Sequence, residues 1–386
     1  VGEPAPTGDP LAAFAPIVDA CEALRDHVLL YTGNPEEPDP WTEFSLARAD
    51  RILAVAAGGK APDWLAERVT LRGCDLAGYD ISAGSGALSD WITALEPAAL
   101  HRLEPGNGLA AGAALAARRL AGRSIGVVLS GGGARAFAHL GVLEELLAAG
   151  LQIDRIGGVS MGAFIGAQLA AGHDIAAIDA HCYDEWVRRN PINDYTVPRR
   201  ALIRSQKGQA MVRRVFGELR IEELAKAFYC ASTDLRRSEL AIHRQGSLAE
   251  AVLASISLPI LAPPRMLEGR ALIDGSLLDN LPVEPMARSG EGPVIAVDVK
   301  PRRSRSPSER RRSKSAPPIG ETIARVLQLA SADTTDAADD HADVVIRAGV
   351  EGVGLLEFHQ IDVAREAGRQ AAGKALERGL LSRVRW

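Results

Sequence analysis

The sequence predicts an α/β protein: a mostly parallel central sheet covered by helices on both faces, giving three α/β/α layers, preceded by a smaller N-terminal α/β extension. Three observations lead there. From Ser124 onward, short apolar β-branched runs alternate with Ala/Leu-rich helical patterns, which calls for parallel strands joined by helical crossovers. Two of those runs, Ile125–Leu129 and Ile153–Val159, each end in a glycine-bearing turn that opens a helical pattern. The 386 residues are enough for one large domain and an appendage.

Taken in order, a Pro/Gly/Asp-rich start leads into a helix over residues 11–24. Residues 27–31 and 51–55 are predicted strands, joined by a polar loop over 32–40 and a helical stretch after Trp41. A mixed segment and a helix over 109–119 complete the extension, and the boundary falls near Gly122. The predicted domains are therefore 1–121 and 122–386. Within the second, residues 228–234 and Glu239–His243, split by Leu235-Arg236-Arg237-Ser238, form a hairpin added to the sheet. There are no internal repeats.

A net charge of −5 argues against general nucleic-acid binding, which favours a basic balance. Cys21, Cys74, Cys182 and Cys230 are scattered without C-x-x-C pairing, so neither a disulfide framework nor a zinc site is expected, and a reducing, cytoplasmic location is. No apolar run reaches the 18 residues of a spanning helix, and no signal-peptide pattern opens the chain.

Gly158-Val159-Ser160-Met161-Gly162 is a G-x-S-x-G pentapeptide at a strand-to-helix junction. Glycines two before and two after the serine allow a sharp turn that exposes the hydroxyl at a helix N-terminus. A serine N-cap in an ordinary βα turn gives the same pattern. About 25 residues earlier stands Ser130-Gly131-Gly132-Gly133-Ala134-Arg135-Ala136, whose bare backbone N–H groups suit an oxyanion. The same turn matches the dinucleotide fingerprint G-x-G-x-x-G/A, with Asp154 at roughly the expected distance of about 20 residues. Against that reading, Arg135 puts a long cation in the tight turn, and the second strand runs into a serine elbow rather than an acidic residue. Paired with the elbow, the glycines predict a serine acyl hydrolase.

The base is less plain. An order of Ser160, Asp274 and then His341 or His359 would assemble a triad. None of the eight histidines lies in a persuasive loop, and His139 falls on the helix after the glycine turn. Asp274 follows the apolar run Arg270-Ala271-Leu272-Ile273 and precedes Gly275-Ser276, which also describes a plain Asp-Gly turn.

The blocks Gly131 to Arg135, Gly158 to Gly162 and Asp274-Gly275-Ser276 resemble, in order and spacing, those of the patatin-like phospholipases. The likeness continues through Ala254 to Pro259, Asp279-Asn280-Leu281-Pro282-Val283 and the run from Val294 to Val299. Trp41-Thr42, the stretch from Ala47 to Val55, Arg118 to Gly126 and Gly354-Leu355-Leu356-Glu357-Phe358 resemble the neuropathy target esterase branch, whose members act on membrane phospholipids and lysophospholipids. The resemblance implies a Ser160–Asp274 dyad with no catalytic histidine. It implies an oxyanion hole from Gly131, Gly132 and Gly133, with Arg135, Gly158, Gly162 and Gly275 supporting. It implies no metal or other cofactor, and a phospholipid or lysophospholipid substrate. Two positions depart from the family pattern: Ala136 and Ser276 stand where Gly, and Gly or Ala, are usual. Ala136 is tolerable unless that residue needs φ > 0; if it narrows the turn, the alternative is a catalytically weak protein with a lipid-binding or regulatory role.

One segment, from Pro301 to Pro318, carries Arg302, Arg303, Arg305, Arg310, Arg311, Arg312 and Lys314 against Glu309 alone. Such a charge block is predicted to be a mobile loop over 300–318, with peripheral membrane contact from Arg302 to Lys314 as its functional reading.

Overall fold

The computed structural model describes residues 10–33, 37–69, 73–80, 87–301, 338 and 340–384. The chain divides into two compact units, Val1–Ala121 and Gly122–Trp386.

In the first unit, β1 (Leu53–Ala56), β2 (Asp75–Tyr79) and β3 (Ala99–Leu103) form a parallel sheet in that order. Helices α1 (Pro10–Glu22), α2 (Pro40–Arg48), α3 (Asp63–Val69), α4 (Ala87–Leu95) and α5 (Asn107–Leu120) accompany it. Ala54, Ala56 and Leu76 of the sheet pack with Val69, Trp91 and Leu95 of the helices. β2 and β3 are short and contain no β-branched residue, so their pattern does not announce strands. The expected strand over residues 27–31 is not formed: the segment is irregular, with Leu29 90% and Tyr31 81% exposed. An apolar run becomes a strand only where a neighbour takes up its backbone N–H and C=O groups.

The second unit holds an eight-stranded sheet among the described residues. Its strands are β4 (Ile125–Leu129), β5 (Ile153–Val159), β6 (Ala227–Asp234), β7 (Glu239–His243), β8 (Arg265–Leu267), β9 (Arg270–Asp274), β10 (Val294–Asp298) and β11 (Val344–Arg347). The order is β11-β10-β4-β5-β6-β9-β8, with β7 also paired to β6; β11 to β6 run parallel, while β7 and β9 are antiparallel to β6. Alternate residues enter opposite faces. Val127, Leu129, Ile295 and Val297 join a large core with α6 (Ala138–Ala148), α7 (Met161–Ala170), α8 (Ile175–Cys182), α9 (Gln206–Phe216), α10 (Leu248–Ser255), α12 (Ile361–Glu377) and α13 (Leu380–Val384). Val128, Val294 and Ala296 face a smaller core closed by Leu281, Val283 and Met286, the last on α11 (Glu284–Ala287). The sheet is thus covered on both sides, as predicted.

One detail of pairing positions the site. β7 pairs with residues 230–234 of β6, overlapping both the stretch that β5 uses (227–231) and the stretch that β9 uses (232–234). β5 and β9 must therefore share the other edge. They run toward each other along it: Val159 stops opposite Ala231, and Asp274 stops opposite Ser232.

Among the described residues no helix is long and apolar enough to cross a membrane. The basic segment from Arg302 to Lys314 lies outside the described residues.

Candidate active site

Ser160 follows Val159 at the end of β5 and caps α7 with φ 54° and ψ −129°, a strained elbow that puts its side chain at the sheet's carboxyl edge. The turn is possible because Gly162 lies against the carbonyls of Leu129 and Ser130, and Gly158 against the backbone of Gly162 and Ala163. A Cβ on Gly162 would come within 2.4 Å of Leu129 O.

Asp274 ends β9 and is fully buried. Ser160 Oγ donates to Asp274 Oδ2 at 2.6 Å, and Asp274 Oδ1 accepts from Ser276 N at 2.9 Å. Burial raises the Asp274 carboxyl to a pKa of about 6, offset in part by hydrogen bonds from Ser160 and from the backbone and side chain of Ser276. Ser276 thus adds a donor to the carboxylate that Gly or Ala could not. Gly275 lies against Ala231 O, where a Cβ would stand 2.5 Å away.

Sequence reasoning gave no role to Ser255, the last residue of α10. Its Oγ accepts from Ser160 N at 2.9 Å and donates to Ala231 O at 2.7 Å, closing the gap left where β5 leaves β6. Ser257 O receives Asp274 N at 2.9 Å. Both serines lie in the block from Ala254 to Pro259, so the signal was present without a contact to interpret it.

Gly131, Gly132 and Gly133 form the turn after β4, close against the serine: a Cβ on Gly131 would meet Ser160 Cβ at 3.1 Å. The three N–H groups are not equivalent. Gly131 N donates to Asn280 O at 3.2 Å while Asn280 Nδ2 donates to Gly131 O at 3.3 Å, a clasp that engages the N–H expected as an oxyanion donor. The N–H groups of Gly132 and Gly133 have no acceptor among the described residues. Gly133 has φ +55° and lies against Leu355 O, which would be 2.1 Å from any Cβ there.

Residues 353–357 hold this turn from outside. Ala134 N donates to Leu355 O at 2.8 Å and Arg135 Nε to Val353 O at 2.7 Å. Arg135 therefore fixes the turn; burial lowers its pKa, and Glu357 opposes that. Ala136 is buried in the core and is not among the residues with positive φ, so its methyl meets no backbone requirement for glycine.

No histidine bonds to Ser160 or Asp274 among the described residues. His139 Nε2 lies 2.8 Å from Ser130 O, and burial drops its pKa to about 4, so it stays neutral and donates there. His341 and His359 are exposed. Asp154 is buried near the start of β5, at the opposite end of the sheet from the glycine turn.

A pocket opens from Ser160, Met161 and Gly133 and is walled mainly by apolar side chains, among them Trp186, Ile192, Met211, Leu261, Leu356 and Phe358. Gly208 of α9 also lines it. The arrangement unites a hydroxyl, a buried carboxylate, two unused amide donors and an apolar chamber.

The family model described as patatin-like phospholipase matches residues 127–287. An uncharacterized NTE family protein of Mycobacterium tuberculosis (strain CDC 1551 / Oshkosh) is 36% identical over 384 residues, covering 95% of this chain and 64% of that protein. A lysophospholipase, nte1, of Aspergillus fumigatus is 32% identical over 284 residues, covering 68% of this chain and 19% of that protein. The crystal structure of VipD from Legionella pneumophila aligns with a TM-score of 0.39 at 16% identity, covering 66% of this chain and 67% of that one. The chain thus spans less than two thirds of the length of the mycobacterial relative it matches. Residues 127–287 are thus a patatin-like phospholipase domain, in a chain whose mycobacterial homologue is an NTE family protein.

Proposed function

We propose that residues 122–386 form a serine hydrolase domain that cleaves fatty-acyl esters of phospholipids or lysophospholipids through a Ser160–Asp274 dyad, with residues 1–121 as an N-terminal extension. The observation that carries this reading is the 2.6 Å bond from Ser160 Oγ to the buried Asp274 carboxylate at the base of an apolar pocket. Ser160 Oγ attacks the ester carbonyl as its proton passes to Asp274 Oδ2, the N–H groups of Gly132 and Gly133 receive the oxyanion, and the acyl chain occupies the pocket. Collapse of the tetrahedral adduct breaks the C–O bond, and Asp274 returns the proton to the departing glycerol oxygen. Water, deprotonated by Asp274, then releases the fatty acid and restores Ser160. A carboxylate lifted to about 6 is a better base than an ordinary one and still ionised at neutral pH. The names of the fungal relatives, lysophospholipases, agree with this substrate class.

The test is intact mass after treatment with a fluorophosphonate, followed by turnover of palmitoyl-lysophosphatidylcholine. One adduct on the wild type, absent from Ser160→Ala and slowed at least 100-fold in Asp274→Asn, is expected. A wild type that takes up no adduct overturns the reading.

A further inference from the structure

Next to the pocket, residues 194–204 fold back on themselves as a small arm. Tyr195 bridges Ile203 in antiparallel fashion, Thr196 N donates to Leu202 O at 2.9 Å, and Arg204 N donates to Asp194 O at 3.0 Å. The arm lies in turn along the bend over residues 258–262, with Leu202 N donating to Ile260 O and Ile203 N to Leu261 O. Its inner side belongs to the pocket: Ile203, Leu258, Leu261 and Ala262 all line it.

The outer side is unlike an ordinary surface. Tyr195, Val197 and Ile260 are 70%, 76% and 58% exposed on these adjacent backbone segments. Arg199, Arg200 and Arg204 are exposed with no carboxylate partner among the described residues, and residues 256–264 carry no charge. The one acid of the arm, Asp194, sits at its base, where Oδ2 accepts from Lys207 N. Ile260 adds an independent point. It is held at φ +71°, a conformation β-branched residues essentially never adopt and glycine adopts freely. Glycine would relieve that strain, so the outward isoleucine is held against a backbone cost.

We infer that this face, made by Tyr195, Val197, Ile260 and the three arginines, docks the protein on an anionic phospholipid bilayer. Apolar tips ringed by unpaired cations match the acyl boundary and negative headgroups of such a surface, and the pocket begins on the other side of the same backbone. A lipid would then pass over Ile203 and Leu261 into the chamber without crossing bulk water. The inference rests on the proposed lipid substrate, but it concerns a surface that no step of the chemistry uses.

The experiment is co-sedimentation of the full chain with vesicles of phosphatidylcholine alone and of phosphatidylcholine with 30% phosphatidylglycerol, beside hydrolysis of p-nitrophenyl butyrate in solution. Wild type is expected to partition onto the anionic vesicles. Tyr195→Ser with Val197→Ser should lower partitioning roughly tenfold on that surface. Arg199→Ser with Arg200→Ser should lower it about 30-fold at low salt, and much less at high salt. Ile260→Gly is expected to melt higher than wild type and yet partition several-fold less, a combination that a purely structural role for Ile260 does not give. Soluble-ester turnover should be unchanged in all of them. Variants that sediment like the wild type, or a wild type that stays in the supernatant, overturn the docking face; loss of soluble-ester turnover in the wild type would instead overturn the proposed chemistry.

Discussion

Ser255 Oγ joins the elbow to β6, accepting from Ser160 N at 2.9 Å and donating to Ala231 O at 2.7 Å. β5 and β9 meet head-on along one edge of β6, so the ladder is interrupted at the point where Ser160 turns away. A side chain from a helix completes it. The backbone of Ser160 is thereby anchored to the strand that also sets the height of Asp274.

Removing that anchor has a defined result. Ser255→Ala leaves a buried N–H and a buried C=O without partners, which costs about 1–3 kcal/mol per group. A fall in stability of about 2 kcal/mol and in kcat of about 10-fold or more is expected, read by denaturant melts and ester turnover. Ser255→Thr keeps the hydroxyl and should recover most of the rate.

The carboxyl at position 274 trades stability for basicity. Its folded pKa of about 6 lies above the unfolded carboxylate value, so the folded state holds the proton more tightly. Stability from this group is full below about pH 4 and is lost as pH rises through about 6. Asp274→Asn should therefore melt higher than wild type at pH 8 and lose that advantage at pH 4, while turnover falls by about 10³ or more. A variant less stable than wild type at pH 8 would contradict this account of the burial.

The same group sets the pH profile. Log kcat/KM should climb with pH and level off above about 6, as Asp274 ionises in the free enzyme. Ser276 donates to that carboxylate from its backbone and its side chain. Ser276→Ala should move the rising limb to higher pH, leaving the plateau comparatively high. A limb that does not move would mean the hydroxyl does nothing for the charge.

At the glycine turn the prediction is steric. Gly133→Ala must push against Leu355 O and adopt φ +55°, so the turn and its free N–H are displaced together. A loss of about 10²–10³ in kcat is expected, the size associated with losing an oxyanion donor. Binding of a non-hydrolysable lipid ether should change far less.

Gly208 lines the pocket proposed to take the acyl chain. An added Cβ there meets only Ser205 Oγ at 3.4 Å and Leu253 Cδ1 at 3.9 Å, so the backbone tolerates a side chain that then fills the pocket. Gly208→Leu should lower the ratio of kcat/KM for palmitoyl over butyryl esters by at least tenfold. An unchanged ratio would remove this pocket as the acyl site.

What the sequence conveyed and what it withheld follow from the range of the interactions. The elbow at Ser160 is local, since two glycines and a strand-to-helix switch lie within five residues, and Asp274 at a strand end is nearly as local. The clasp of Asn280 on Gly131 joins residues 149 apart, and Ser255 reaches Ser160 across 95. No pattern along the chain encodes such meetings. They depend on which edge of β6 receives β9. Residues 27–31 fail in the opposite direction: their apolar run has the composition of a strand but no strand to pair with among the described residues. β2 and β3, with no β-branched residue, become strands because neighbours do exist.

The carbonyls of Val353 and Leu355 hold the glycine turn from far along the chain, Val353 lying 218 residues beyond Arg135. During synthesis, Ser160 emerges early, Asp274 well after it, and this clamp later still. A nascent chain therefore carries the elbow through the synthesis of the whole stretch from Ser160 to Val353 without the strap that shapes the turn beside it. The order of the sequence acts as a timer, withholding the strap until the sheet that carries Ser160 and Asp274 has been made.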